Sequence, residues 1–253
     1  MYKIPAKTLF MGKNLVFMPE CHSTSTIASE LTQMADCVEG TVVITDNQTA
    51  GRGQKGSLWQ TAPGQNLTFS IVVKPTFLLP KDQFLLSMAI SLGILDYLKS
   101  EIVSKKLNVK WPNDILVGTK KICGILIENH IQGSSISNSV IGIGLNVNQR
   151  GFGDLAATSL RTEIGQDFDL PSAFTKLMSK LESRYLMLKK GNEERLRVEY
   201  VDNMYGRDEK LFFWSNKTRF EGVVAGVDEY GCLIVDSGGQ KMAFNAKEIR
   251  FEF

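Results

Sequence analysis

The chain has 253 residues, of which 43% are hydrophobic and 22% are charged. These values are ordinary for a soluble globular protein with one large domain, or with one medium and one small domain. The formal net charge of +2 at pH 7 provides no broad basic field, so composition excludes bulk binding of nucleic acid.

The cysteines and the termini also limit the class of protein. No CxxC pair and no regular spacing occurs among the four cysteines, Cys21, Cys37, Cys123 and Cys232, which argues against a zinc ribbon and a disulfide framework. The N-terminus leads into no apolar segment, and no run of about 18 apolar residues is present. We therefore expect a cytoplasmic protein that neither is exported nor spans a membrane.

Two predicted strands, residues 42–45 and 67–73, flank a glycine-rich loop that reads Gly-Arg-Gly-Gln-Lys-Gly at 51–56. Glycine brings backbone N–H groups close to a ligand, while Arg52 and Lys55 can neutralise phosphate or carboxylate charge. The Gly-x4-Gly spacing is half of a phosphate-loop signature, but Ser57 stands where that signature requires lysine. The loop is thus either an anion cradle of another kind or an ordinary basic turn.

Strand and helix patterns alternate through the rest of the first 200 residues or so. Apolar residues at helical spacing predict two helices packed on a core, at 83–100 and around 174–188. Between them, residues 107–128 predict an extended segment and a hairpin that turns at Gly118. In the strand that follows, at 139–148, alternate glycines suggest close approach by a ligand or another backbone, with a barrel-like bend as the alternative.

From about residue 207 the pattern changes to five short β runs separated by Gly and Asp-Glu turns. This pattern predicts two domains, a larger one at 1–206 and a small β-barrel module at 207–253. Because so short a module would be marginally stable alone, we expect it to pack on the larger domain.

A second polar constellation is Lys-Trp-Pro-Asn-Asp at 110–114. Pro112 restricts the backbone, which holds Asn113 and Asp114 on a rigid extended turn. Asn113 can donate and accept at an adenine edge, and Asp114 can bind magnesium or a donor N–H. An Asx turn without a ligand role explains the residues equally well. Lys121, seven residues beyond Asp114, is either a solvated edge charge or a cation at a cavity rim.

Taken together, these segments resemble the biotin protein ligases in order and spacing. The resemblance rests on Ser-Thr-Ser at 23–25, Gln-Thr-Ala-Gly-Arg-Gly at 48–53 with Trp59, the 110–114 block, Lys-Ile-Cys-Gly-Ile-Leu at 121–126 and Gly-Ile-Gly-Leu-Asn at 142–146. It implies an α+β fold, in which a mixed-sheet catalytic domain like those of class II aminoacyl-tRNA synthetases and biotin ligases precedes a small C-terminal SH3-like β-barrel. It further implies a short form of the ligase, without an N-terminal helix-turn-helix domain and without operator binding.

The implied reaction has two steps. Biotin and MgATP first give biotinyl-5'-AMP and pyrophosphate, and a lysine of a biotin carboxyl carrier protein domain in a biotin-dependent carboxylase then attacks the adenylate. ATP, biotin and Mg²⁺ are the expected ligands, nucleic acid and membranes are not expected partners, and a homodimer is left open. Because the reaction needs no enzyme nucleophile, catalysis would depend on positioning and on charge neutralisation.

The resemblance also implies roles for the residues of this sequence that match the family's motifs. The residues implied to bind biotin are Ser23, Thr24, Gln48, Gly51, Arg52, Lys121, Gly142 and Gly144. Those implied to bind ATP or the adenylate are Gly53, Gln54, Lys55, Trp59, Asn113 and Asn146. The catalytic residues are Arg52, Lys121 and Asp114, and Asp114 is also the candidate for binding the metal or orienting the incoming amine.

Two other functions compete with this interpretation. A lipoate or octanoate ligase or transferase shares the catalytic fold, but the 110–114 block and the C-terminal β module favour biotin. A non-enzymatic adaptor, whose β module binds peptides or nucleic acid, would leave the clustered Gly, Lys and Asn-Asp segments unexplained.

One residue departs from the family pattern, because Gln54 stands where many relatives carry a second arginine. The loss of this cation puts retention of the adenylate in question. We predict that adenylation persists, with Lys55 or Lys121 carrying more of the charge, so that Lys121→Ala lowers the rate of adenylate formation. A Lys121→Ala enzyme that forms adenylate at the wild-type rate would contradict this.

Overall fold

The structure is a computed structural model that describes residues 2–103, 106–207 and 209–252, without the side chain of Lys55. One mixed sheet contains seven strands, β1 (Leu15–Cys21), β2 (Val42–Gln48), β3 (Leu67–Val73), β4 (Leu107–Lys110), β5 (Asp114–Val117), β6 (Lys120–Gln132) and β7 (Ser135–Leu145). Their order is β1-β2-β3-β7-β6-β5-β4. The β1–β2 pair is parallel and the other neighbours are antiparallel, which confirms the predicted mixed sheet.

The α-helices of the described residues are α1 (Thr24–Leu31), α2 (Phe84–Glu101), α3 (Leu160–Ile164), α4 (Leu170–Lys189) and α5 (Glu193–Asp202). The long helix α2 packs against α4 and α5, whereas α1 lies against β2, β3 and β7. The sequence predicted one apolar stripe on α2, but Leu85, Leu86 and Ile90 are also fully buried. Among the described residues, no helix has the length and apolar character needed to cross a membrane.

The two faces of the large sheet differ in chemistry because successive side chains of a strand point to opposite faces. In β3, Leu67, Phe69, Ile71 and Val73 all join the main core. The intervening positions face the side covered by α1, where Ser70 contacts the hydroxyls of the α1 N-terminus. One face of the sheet is therefore apolar core, and the other has room for polar groups.

The C-terminal residues form a second sheet, which is antiparallel. Its strands are β8 (Leu211–Ser215), β9 (Thr218–Val227), β10 (Leu233–Ser237), β11 (Gln240–Phe244) and β12 (Arg250–Phe251), in the order β11-β10-β9-β8-β12. Phe213, Val235 and Phe251 of this sheet belong to the same buried cluster as the residues of α2 and α4. The small module thus packs on the larger part of the chain, as its size predicts.

A tight turn of the second sheet, at 228–232, contacts the large sheet. The buried indole of Trp111 donates from Nε1 to the carbonyl oxygen of Gly231 at 2.8 Å. Gly231 has a φ of 88°, and a Cβ at this position would lie 2.2 Å from Cγ of Phe84, so only glycine fits without displacement. The contact is made at the turn between β4 and β5, directly before Asn113 and Asp114.

We predict that Trp111→Phe lowers the free energy of unfolding by about 1–3 kcal/mol, because it leaves the buried Gly231 carbonyl without its donor. Denaturant unfolding measures the change. Trp214→Phe is the control for loss of an indole, since the Trp214 side chain is partly buried and has no hydrogen bond to another described residue. An equal loss in the free energy of unfolding for the two variants would show that the Trp111 hydrogen bond adds nothing to stability.

Candidate active site

A cavity of about 170 Å³ opens on the face of the large sheet that α1 covers. Strands β3, β6 and β7 form its floor, and the glycine-rich loop crosses it. Its lining includes most residues predicted for the site, namely Thr24, Gln48, Arg52, Gly53, Gln54, Trp59, Asn113, Asp114, Lys121, Gly142 and Gly144. Segments as distant in sequence as 24 and 144 therefore meet at one site.

Three predicted residues lie behind the cavity lining. Ser23 is buried at the N-cap of α1. A Cβ on Gly51 would lie 2.3 Å from the carbonyl oxygen of Trp59, so this glycine allows the two ends of the loop to meet. Asn146 is buried and donates from Nδ2 to the carbonyl oxygen of Thr158 at 3.0 Å. Ligand contacts of these residues stay predictions, and the predicted role of Lys55 concerns a side chain outside the described part of the chain.

One end of the cavity carries a cluster of buried hydroxyls at the α1 N-terminus. Ser70 of β3 lies 2.9 Å from Thr24 and 3.0 Å from Ser25, oxygen to oxygen. The Gln48 side-chain oxygen accepts from the Thr24 backbone N–H at 2.8 Å. Hydroxyls both donate and accept, so this cluster suits a polar head group. The sequence reasoning missed Ser70, although its place beside Thr68 in an otherwise apolar strand is a usable signal.

The alternate glycines of β7 make room for side chains from elsewhere. A Cβ on Gly144 would lie 2.1 Å from Cε2 of Trp59, and one on Gly142 would lie 2.6 Å from Oγ of Ser25. A Cβ on Gly124 of β6 would also lie 3.0 Å from Cζ3 of Trp59. The predicted close approach is thus made here by side chains, chiefly the Trp59 indole. The Trp59 Nε1 is buried and has no hydrogen-bond partner among the described residues, so its N–H is an unsatisfied donor at the site.

The other end of the cavity is charged. Nζ of Lys121 lies 2.6 Å from Oδ1 of Asp114 and 5.4 Å from the centroid of the Trp59 ring. Lys110 lies opposite Asp114 in the β4–β5 register. Burial lowers the pKa of Lys110, and Asp114 counteracts part of this shift. Lys121 and Asp114 thus form an ion pair in the cavity lining, and Lys110 lies nearby with its Nζ 5.7 Å from the centroid of the Phe251 ring.

Asn113 fixes the turn that carries Asp114. Its Nδ2 donates to the Ile125 carbonyl oxygen at 2.8 Å, and its backbone oxygen accepts from the Ile125 N–H at 2.9 Å. The Trp111–Pro112 peptide is cis. Since one of the two Nδ2 N–H groups of Asn113 is engaged with β6, its other N–H and its side-chain oxygen are left for the predicted contact with adenine.

The remaining cation, Arg52, lies on the loop and forms an ion pair through Nη2 with Oε2 of Glu128 on β6. Glu128 was not among the predicted site residues. It faces the same side of the sheet as Gly124 and Leu126, because these positions alternate with the core residues Ile125 and Ile127. No motif marks this glutamate, since its partner lies 76 residues away in the chain.

Comparisons with known proteins match most of the chain. The model of the "Biotin/lipoate A/B protein ligase family" matches residues 18–146. The bifunctional ligase/repressor BirA of Bacillus subtilis is 30% identical over 249 residues, covering 95% of this chain and 75% of the relative. The biotin–[acetyl-CoA-carboxylase] ligase of Paracoccus denitrificans is 26% identical, covering 90% of this chain and 98% of the relative. Among solved structures, the Aquifex aeolicus biotin protein ligase in complex with biotin and ATP superimposes with a TM-score of 0.78 at 25% identity, covering 95% of this chain and 99% of that one.

We predict that Gly144→Ala displaces the Trp59 indole, because the new methyl group would overlap the ring. The measurement is tryptophan fluorescence, read as a shift in emission and easier quenching by iodide. Gly151→Ala is the control, since a Cβ there would meet no atom within 4 Å. Identical spectra for the wild type and Gly144→Ala would contradict the described position of Trp59.

Proposed function

The chain belongs to the biotin/lipoate A/B protein ligase family, and we propose that it attaches biotin to a carrier lysine through a biotinyl-5'-AMP intermediate. One observation carries the proposal. The cavity has a hydroxyl cluster at one end and the Lys121–Asp114 pair at the other. Biotin has the same polarity pattern, with a polar ureido ring at one end and a carboxylate at the other.

The hydroxyl cluster favours biotin over lipoate or octanoate, the substrates of the competing ligases or transferases. The buried hydroxyls of Thr24, Ser25 and Ser70 bond to one another and to Gln48, but a hydroxyl can donate once and accept twice. A dithiolane ring or an alkyl end would leave the remaining capacity of these groups unused, whereas a polar ring would use it. The ureido ring offers both N–H donors and a carbonyl acceptor to this cluster.

In the first step, an oxygen of the biotin carboxylate attacks the α-phosphorus of ATP and pyrophosphate leaves. The two reactants are both anionic, so cations where they meet stabilise the transition state, in which negative charge is concentrated, more than either reactant alone. Lys121 and Arg52 both line the cavity and are the residues that we assign to this role. Trp59 offers its ring face and its unpaired Nε1–H to the adenylate.

In the second step, the amine of the carrier lysine attacks the acyl carbon and AMP leaves. The amine must be neutral to attack, and its proton must be removed as the bond forms. Asp114 is the carboxylate that the cavity presents for this purpose, and its ion pair with Lys121 fixes its position. We assign Asp114 to orienting the incoming amine and accepting a hydrogen bond from it.

Mg²⁺ fits this site as an ion bound together with ATP. In the described part of the chain, no cluster of three or more His, Cys, Asp or Glu side chains could hold a metal. Mg²⁺ is commonly held by one or two carboxylates plus substrate phosphates, keeping several waters. Asp114 would supply the carboxylate, and the ion would neutralise part of the phosphate charge.

We predict biotin-dependent exchange of pyrophosphate into ATP, followed by labelling of one lysine on the carrier domain of a biotin-dependent carboxylase. The names of the relatives point to an acetyl-CoA carboxylase as the source of this domain. Lipoate and octanoate are assayed in parallel. Exchange with lipoate but not with biotin would indicate a lipoate ligase of the same family. Exchange with none of the three acids would refute the proposal that the protein forms an acyl-adenylate.

A further inference from the structure

Arg52 connects two cavities on the α1 face of the large sheet. It lines the 170 Å³ cavity of the active site, and it also lines an outer groove of about 340 Å³ between α1 and the distal half of β6. Glu128 lines the outer groove but not the inner cavity. The Arg52–Glu128 ion pair therefore stands at the wall between the two spaces.

The ion pair also attaches the glycine loop to the sheet. Within the loop, Arg52 pairs with Leu58 in an isolated antiparallel bridge, and Gly53 donates its N–H to the Ser57 carbonyl oxygen at 2.8 Å. The loop is thus a small hairpin that needs contacts with the rest of the chain to stay over the cavity. Two side-chain contacts hold the hairpin there. Arg52, on its first strand, contacts Glu128, and Trp59, on its second, contacts Gly144.

The geometry of the pair leaves Arg52 able to bind an anion. Glu128 accepts from Nη2 alone, and a guanidinium has five N–H donors in a fixed plane. Anchoring one nitrogen of this plane fixes the direction of the others. The described contacts of the guanidinium do not use Nε or Nη1, and because Arg52 also lines the inner cavity, these two donors can serve a carboxylate bound there.

We propose that Glu128 is a positioning residue, which orients Arg52 toward the bound acid and holds the glycine loop across the cavity. The part concerning the acid rests on the proposed function, whereas the part concerning the loop does not. Both side chains are partly exposed, at 44% for Arg52 and 37% for Glu128. An exposed pair of this kind has an effect of about two- to five-fold on an equilibrium.

The test uses Glu128→Gln in the full-length protein, because glutamine preserves the shape of the side chain and removes its charge. Glu30→Gln is the matched control. Glu30 lines the same outer groove, and the ion pairs found among the described residues do not include it. Both variants change the net charge of the groove equally, so a general electrostatic effect would appear in both.

The first readout is the initial rate of tryptic cleavage within residues 50–60, mapped by mass spectrometry without any ligand. We expect Glu128→Gln to be cleaved about two- to five-fold faster than the wild type, and Glu30→Gln to match the wild type. Equal rates for all three proteins would overturn the holding role of Glu128. This readout is independent of whether the protein uses biotin.

The second readout is the dissociation constant of biotin, measured by calorimetry for wild type, Glu128→Gln, Arg52→Gln and the double variant. We expect Glu128→Gln to raise the constant about two- to five-fold, and to add nothing once Arg52 is replaced, since its effect acts through Arg52. Additive effects, or tighter biotin binding in Glu128→Gln, would overturn the orienting role. A wild type that binds no biotin at all would refute the proposed function and leave the cleavage result to decide the loop.

Discussion

The alternation of side chains along β3, β6 and β7 is the constraint on which the site depends. Odd-numbered positions such as Phe69, Ile125 and Ile143 pack into one core with α2 and α4. In the central part of these strands the alternate positions face α1 and the cavity, and there the sequence places Thr68, Ser70, Gly124, Gly142 and Gly144. A register slip of one residue would put Ser70 into the core and Phe69 into the cavity, so the stability of the core also fixes the chemistry of the site.

A second constraint places the charged end of the cavity. Asp114 begins β5 and lies on a turn that is bonded on two sides, to β6 through Asn113 and to the C-terminal sheet through Trp111. The position of the carboxylate is therefore set before any ligand binds, which is the condition for electrostatic stabilisation without reorganisation. The C-terminal sheet contributes to the site through this contact, although its own strands do not line the cavity.

The sequence predicts those parts of the fold in which local pattern and tertiary packing agree. Strand β3 has the predicted bounds, and the 110–114 block forms the expected turn. By contrast, β1 and α5 were not predicted, because β1 is a half-exposed edge strand and α5 buries only Leu196 and Tyr200.

Glu128 and Ser70 could not be assigned from motifs, since their roles come from residues 76 and 46 positions away. Gln54, which departs from the family pattern, lines the cavity as expected, and its effect on adenylate retention stays a prediction.

The most direct test of the proposed site is a crystal structure of the protein grown with biotin. We predict biotin in the inner cavity, beside the Trp59 indole that fills the space over Gly144. Its ureido ring lies at the hydroxyl cluster of Thr24, Ser25 and Ser70, and its carboxylate lies between Arg52 and Lys121. Biotin bound in the reverse direction, or only in the groove beside α4 that Lys7, Glu101 and Lys176 line, would contradict this prediction.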